Sequence, residues 1–120
     1  MEMKPNGMQR ITEELARMRE TEAPCVQGRI EVLGLAAWGY RDATGEDSPQ
    51  PETWPTAAGP WSPSTRLRNL ERAGALYLAA QELAERCFDF ERRDFFQGQS
   101  YTCALLIESI LKAEESAGVA

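Results

Sequence analysis

Histidine is absent from the 120 residues, and this removes whole classes of chemistry. Neither a Ser-His-Asp nor a Cys-His catalytic set can be assembled within one chain, and zinc sites of the Cys/His type are excluded as well. Proton transfer near neutral pH would fall to a shifted carboxylate or thiol, and a metal site would have to be built from carboxylates. Cysteine is scarce: Cys25, Cys87 and Cys103 are widely spaced and form no CxxC pair. Reduced thiols, buried as small hydrophobes, are expected. No apolar run approaches the ~18–20 residues that a membrane span needs, and Met1–Gly7 has no hydrophobic signal region. A cytoplasmic protein is expected, with no membrane and no cofactor.

Positive charge is also in deficit. Nineteen Asp and Glu stand against 13 Lys and Arg, a net charge of −6. Residues 1–50 hold nine acids and six bases, and residues 51–120 hold ten and seven. The imbalance runs through the whole chain and disfavours direct contact with a nucleic-acid backbone. Two readings follow: a solvated acidic face, or a surface that competes for a basic, nucleic-acid-binding protein. Period-two strand patterns and strand-flanked Asn-Gly or Asp-Gly turns are missing, and there is no internal repeat.

What is present is helical periodicity on a globular composition, 42% hydrophobic and 27% charged. Met8, Ile11, Leu15 and Met18 recur at helical spacing, predicting a helix over about 8–22 that Pro24 closes. Val26, Ile30, Leu33, Ala37 and Tyr40 form a second stripe, widened by Leu35 and Trp38, over about 24–42. Gly28, Gly34 and Gly39 weaken that helix but permit close approach of a neighbour. Five of the seven prolines fall between Gly45 and Pro63, a long linker over 45–63. Ser64 or Thr65 can cap a third helix over 64–88. Its stripe is Leu67, Leu70, Gly74, Tyr77, Ala80 and Ala84. The charged, Phe-rich stretch around Glu91–Asp94 reads as a turn or a continuing helix, and Gly98 favours a break near it. A last helix over 100–115 carries Cys103, Leu106, Ile107, Ile110 and Leu111.

The expected fold is one all-α domain spanning residues 1–120. It is either a four-helix bundle or two helical hairpins joined by the Pro-rich crossover and completed by dimerisation.

Candidate binding residues concentrate at the linker and the helix after it. Trp54 and Trp61 either pin the linker across the helices or present a recognition surface, since tryptophan is enriched at binding hot spots. Glu46, Asp47 and Glu52 would supply its acidic rim. Arg66, Arg68 and Arg72, with Asn69, gather at the start of the third helix, where positive charge opposes the helix dipole. They suit a phosphate or nucleotide, or they pair with the linker acids. Glu82, Glu85, Glu91 and Asp94 form two pairs at +3 spacing, the one pattern suited to a divalent cation. Cys87, between Arg86 and Phe88, is a candidate perturbed thiol.

Two resemblances are carried by these residues. The acidic pairs look a little like motifs of the MazG-type all-helical nucleotide pyrophosphohydrolases. They lie too close in sequence to come from facing helices, and Gln81-Glu82 stands where a double glutamate is expected. The second runs from Trp54-Pro55 through Trp61-Ser62-Pro63 to Arg68-Asn69-Leu70-Glu71-Arg72-Ala73-Gly74-Ala75-Leu76. With the alanine-rich segment ending at Tyr40, it resembles small proteins encoded by bacteriophages and prophages. Such relatives often have an acidic, histidine-bearing segment where this chain has Thr21-Glu22-Ala23-Pro24. The resemblance implies a phage accessory protein with no settled reaction. The functional expectation is a non-enzymatic binder of a host or defence component, of which anti-CRISPR-type inhibitors are the most concrete class. The alternatives are a nucleotide-sequestering protein or magnesium-dependent pyrophosphohydrolase, and a structural helical dimer.

Overall fold

The computed structural model describes residues 6–118, apart from the side chain of Cys25. The N-terminal signal reading therefore lies largely outside the described residues, as does the expected burial of Cys25. The described residues form four α-helices and no strand: α1 Gly7–Glu20, α2 Ile30–Asp42, α3 Arg66–Arg86 and α4 Phe90–Gly118. Two 3₁₀ turns, Pro24–Gln27 and Thr56–Ala58, punctuate the connections. The helices pack as a bundle, so the all-α expectation holds.

Helix α1 starts with a reciprocal cap that leaves two of its terminal amides satisfied. The Asn6 side chain accepts from the Gln9 amide at 2.8 Å, and the Gln9 side chain accepts from the Asn6 amide at 2.7 Å. Its buried stripe is Ile11, Leu15 and Met18. The helix ends before Pro24, where Glu22 adopts φ 55°. The Glu22 amide then reaches the Arg19 carbonyl at 3.2 Å and the Ala23 amide the Met18 carbonyl at 2.9 Å, the paired closure of a Schellman end.

Helix α3 lies against α1, α2 and α4, and its sequence is what such a position requires. Leu70, Leu76 and Tyr77 fill the core, while Ala73, Gly74, Ala75, Ala79, Ala80 and Ala84 are buried and small. Thr65 caps it, accepting from the Arg68 amide at 3.2 Å. Small residues let three neighbours approach at once, and Gly74 shows how closely. A Cβ there would lie 2.3 Å from Ile11 Cδ1. Gly7 plays the same part between α1 and α4, where a Cβ would lie 2.2 Å from the Ala104 carbonyl oxygen.

Two boundaries differ from expectation. The helix expected from Pro24 begins at Ile30, because Pro24–Gln27 winds as 3₁₀ and Gly28 is extended at ψ 174°. The helix expected from about residue 100 begins at Phe90. Gly98 does not break it: its position is open, with nothing within 4 Å of a would-be Cβ. Its cost of about 1 kcal/mol is outweighed by burying Phe96, Ser100, Cys103 and Ile107 on the same helix. The break falls instead at Phe88, with φ 58°. The Asp89 amide reaches the Ala84 carbonyl at 2.8 Å, a second Schellman end. Asp89 then caps α4 through the Arg92 amide at 3.2 Å. At about 1.5 Å per residue, α4 spans most of the longest molecular dimension of 47 Å.

Both Schellman corners hold a side chain in the left-handed region, which costs about 1–2 kcal/mol relative to glycine. Phe88 is also 80% exposed. Phe88→Gly and Glu22→Gly should each raise unfolding free energy by about 1 kcal/mol. Gly74→Ala should lower it by more than that, because Ile11 must move. Urea denaturation followed by circular dichroism checks all three.

Candidate functional site

The Pro-rich crossover is folded, not slack. Ser48 Oγ accepts from the Thr44 and Gly45 amides at 2.9 and 3.2 Å. Trp54 Nε1 donates to the Gly59 carbonyl at 2.9 Å, and Trp61 Nε1 donates to the Ser48 carbonyl at 2.9 Å. The two indoles meet Tyr40 of α2. Trp61 stacks on it with centroids 4.9 Å apart, and Trp54 stands edge-on at 5.5 Å. The Arg72 guanidinium lies 5.6 Å from the same tyrosine ring. Gly59, at φ 84°, lets the chain turn against Pro24, where a side chain would be strained. Both tryptophans are thus half-buried clasps of the crossover. Glu46, Asp47 and Glu52 are exposed beside them.

The arginine cluster divides. Arg66 donates to the carbonyls of Arg41 and Ala43, completing the C-terminal end of α2. Asn69 is fully buried. It accepts from the Ser64 amide at 2.7 Å and donates to the Ser64 and Ala43 carbonyls at 3.0 and 3.3 Å. These two residues tie α3 to the crossover. Arg68 and Arg72 turn the other way, toward α1. The acids they meet are not those of the linker but Glu14 and Glu71, each only 3% exposed. Arg68 reaches Glu14 at 2.9 Å and Glu71 at 2.7 Å, while Arg72 approaches Glu14 at 4.0 Å. Arg17 adds a 3.2 Å bond to Glu14, and Arg10 a 3.1 Å bond to Glu71.

The acidic pairs do not converge. Glu82 is held by Arg19 of α1 at 2.6 Å and Asp94 by its neighbour Arg93 at 3.0 Å, while Glu85 and Glu91 are exposed. Among the described residues no three His, Cys, Asp or Glu side chains form a group suited to a metal ion. Contrary to expectation, the two pairs do lie on facing helices, Glu82 and Glu85 on α3 and Glu91 and Asp94 on α4, which pack against each other from the Phe88 corner; their carboxylates nevertheless do not gather into one group.

A feature absent from the expected site lies between α2 and α4. Leu35, Trp38 and Phe95, 40%, 47% and 58% exposed, border an apolar groove of about 590 Å³ floored by Gly34, Tyr77 and Phe96. Arg92 and Glu31, 3.3 Å apart, tie α4 to α2 at its edge, and Arg41 donates to Gln99 at 2.6 Å. The Glu31 carboxyl is held below its usual range, first by its own backbone amide and then by Arg92. Trp38 also borders a second hollow, of about 490 Å³, lined by Asp42, Ser48, Pro51, Glu52 and Trp61. Apolar groove and acidic hollow therefore meet at one exposed indole. The sequence signal existed: Leu35 and Trp38 widen the α2 stripe beyond what a one-sided helix buries.

Burial pushes the Cys103 thiol up to about 11, against partial opposition from Arg41 and Arg66. Cys87, expected to be packed, is instead exposed because it ends α3 at the Phe88 corner. No protein-family model matches the chain, and comparison with curated proteins and with solved structures gives no match. No described helix is long and apolar enough to cross a membrane.

Trp61→Ala should cost about 2–3 kcal/mol of stability, whereas Trp38→Ala should cost under about 1 kcal/mol; urea titration of the two variants separates them. The Cys103 shift also fixes a pH dependence. An unfolded thiol ionises near 9.0 and the folded one near 11. The unfolded state therefore binds fewer protons across that window, and stability falls as pH rises through it. The loss approaches about 2 kcal/mol, and Cys103→Ala should flatten the slope in denaturation measured at both ends of the window.

Proposed function

We propose that the protein acts by binding a basic partner protein through the α2–α4 face, not by catalysing a reaction. The observation that carries this reading is Trp38. It is a large indole with nearly half its surface in water, set between an apolar groove and an acidic hollow. A half-exposed tryptophan flanked by Leu35 and Phe95 has the composition of a hot spot. Asp42 and Glu52 beside it, on a chain of net charge −6, complement a positively charged partner and favour its approach. The clasped Trp54 and Trp61 hold this face in place and cede the role of anchor to Trp38. Glu46, Asp47 and Glu52 remain as the acidic rim.

Joined to the Trp-Pro and Arg-Asn-Leu signature, the class proposed is a phage accessory protein working in the host cytoplasm against a host or defence component, as anti-CRISPR-type inhibitors do. The pyrophosphohydrolase alternative draws no support from acidic pairs that stand apart.

Immobilised wild type and a Trp38→Ala/Phe95→Ala variant, exposed to the same bacterial lysate and read by mass spectrometry, test this. At least one basic protein should be retained by the wild type and lost by the variant, and its association rate should fall with added salt. Identical retention by both proteins overturns the reading. A doubled mass in light scattering that the variant abolishes would make a second copy the occupant instead.

A further inference from the structure

We infer that the α1–α3 arginine pocket is a binding site for a small phosphate-bearing anion, independent of the α2–α4 face. Four guanidiniums, Arg10, Arg17, Arg68 and Arg72, converge on two buried carboxylates, Glu14 and Glu71. The cluster therefore carries an excess of two positive charges on an otherwise acidic chain. The two carboxylates are buried while the guanidiniums around them are partly exposed, so the surplus positive charge lies toward solvent, where an anion can reach it. Here the donors outnumber the acceptors, and Arg10 Nε is buried with no partner.

Three of the four guanidiniums, those of Arg17, Arg68 and Arg72 but not Arg10, open onto a cavity. A pocket of about 360 Å³ is lined by Arg17, Arg68 and Arg72, with Glu14 as its only acid. Thr21, Ser62 and Tyr40 complete its wall. Arg72 reaches Glu14 only at 4.0 Å and is fixed by the Ser62 carbonyl and the Tyr40 ring. Its guanidinium is thus pre-positioned without being neutralised at hydrogen-bonding distance. Glu14 in turn holds Arg17 and Arg68 on the same cavity. Guanidinium forks match the oxygens of phosphate and bind it with paired, charge-assisted bonds. A doubly charged phosphate monoester supplies the two negative charges that the cluster lacks, and the volume admits the phosphate with a small organic group. Sequence reasoning placed Arg68 and Arg72 in such a site but grouped them with Arg66 and Asn69. The structure substitutes Arg17, from a helix that meets α3 only after folding.

The test uses inorganic phosphate and adenosine monophosphate as probes at fixed ionic strength, with chloride as the reference. Phosphate should raise the melting temperature of the wild type saturably and broaden its own phosphorus NMR line. Arg17→Gln, at a side chain 52% exposed, should fold as the wild type does and lose most of both effects. Trp38→Ala should keep them. A melting shift no larger than that of chloride, or full line broadening retained by Arg17→Gln, overturns the proposal. A response to adenosine monophosphate exceeding that to phosphate identifies the ester as the preferred form, whereas equal responses assign recognition to the phosphate group alone.

Discussion

Everything in this molecule is arranged around the enclosure of α3. A helix touched by three others must be slim over much of its surface, and this one buries Ala73, Gly74, Ala75, Ala79, Ala80 and Ala84 among its larger core residues. Close approach maximises dispersion contacts and removes water from the seam, but it leaves no room for adjustment. Ile11 rests where a Gly74 side chain would be, and Ser100 Oγ approaches the Gly74 carbonyl at 3.3 Å. α1 and α4 therefore meet α3 at the same residue, from two directions. The registers of three helices are coupled at this point, and the rest of the chain is hung from it.

Enclosure also explains the division of labour among polar groups. The ends of α3 are the places where charge can be satisfied. At the N-terminal end Arg66 and Asn69 secure the crossover and the end of α2, and the crossover in turn packs its indoles on Tyr40. On another face of the same turns, Arg68 and Glu71 turn toward α1 and join Glu14, whose carboxylate is buried with that of Glu71, in one network. Such networks contribute little net stability compared with apolar packing, but they penalise alternatives that leave a charge unpaired. The arginine excess and the orphaned Arg10 Nε mark where this network departs from pure architecture.

Much of the fold is legible in the chain. The α1, α2 and α3 stripes follow apolar spacing, and Thr65 and Pro24 mark real boundaries. The misjudged boundary of α4 has a physical cause. Glycine is a weak breaker when its neighbours bury a continuous face, whereas Phe88 takes a left-handed corner that nothing in its chemistry announces. The site was less legible. By sequence, Trp54 and Trp61 of the linker fit either a clasp across the helices or a recognition surface, and residue type alone does not choose between them. The indoles there find backbone acceptors and a tyrosine to stack on, relations that exist only once residues distant in sequence are neighbours. Trp38 looked like core because it extends an apolar stripe. Only the placement of α4 shows that the stripe is wider than what covers it. The partners of Arg68 were hidden for the same reason, since Glu14 lies on another helix.

The central claim is that the crossover tryptophans are structural and Trp38 is the exposed anchor of a binding face. Fluorine NMR of protein labelled with 5-fluorotryptophan reads this directly, with three resonances assigned by single Trp→Phe variants. The Trp38 resonance should show the largest shift on exchanging water for deuterium oxide and should alone move when a bound partner is added. Equal solvent sensitivity at all three positions, or a partner that perturbs Trp54 and Trp61 while leaving Trp38 unmoved, would contradict the account.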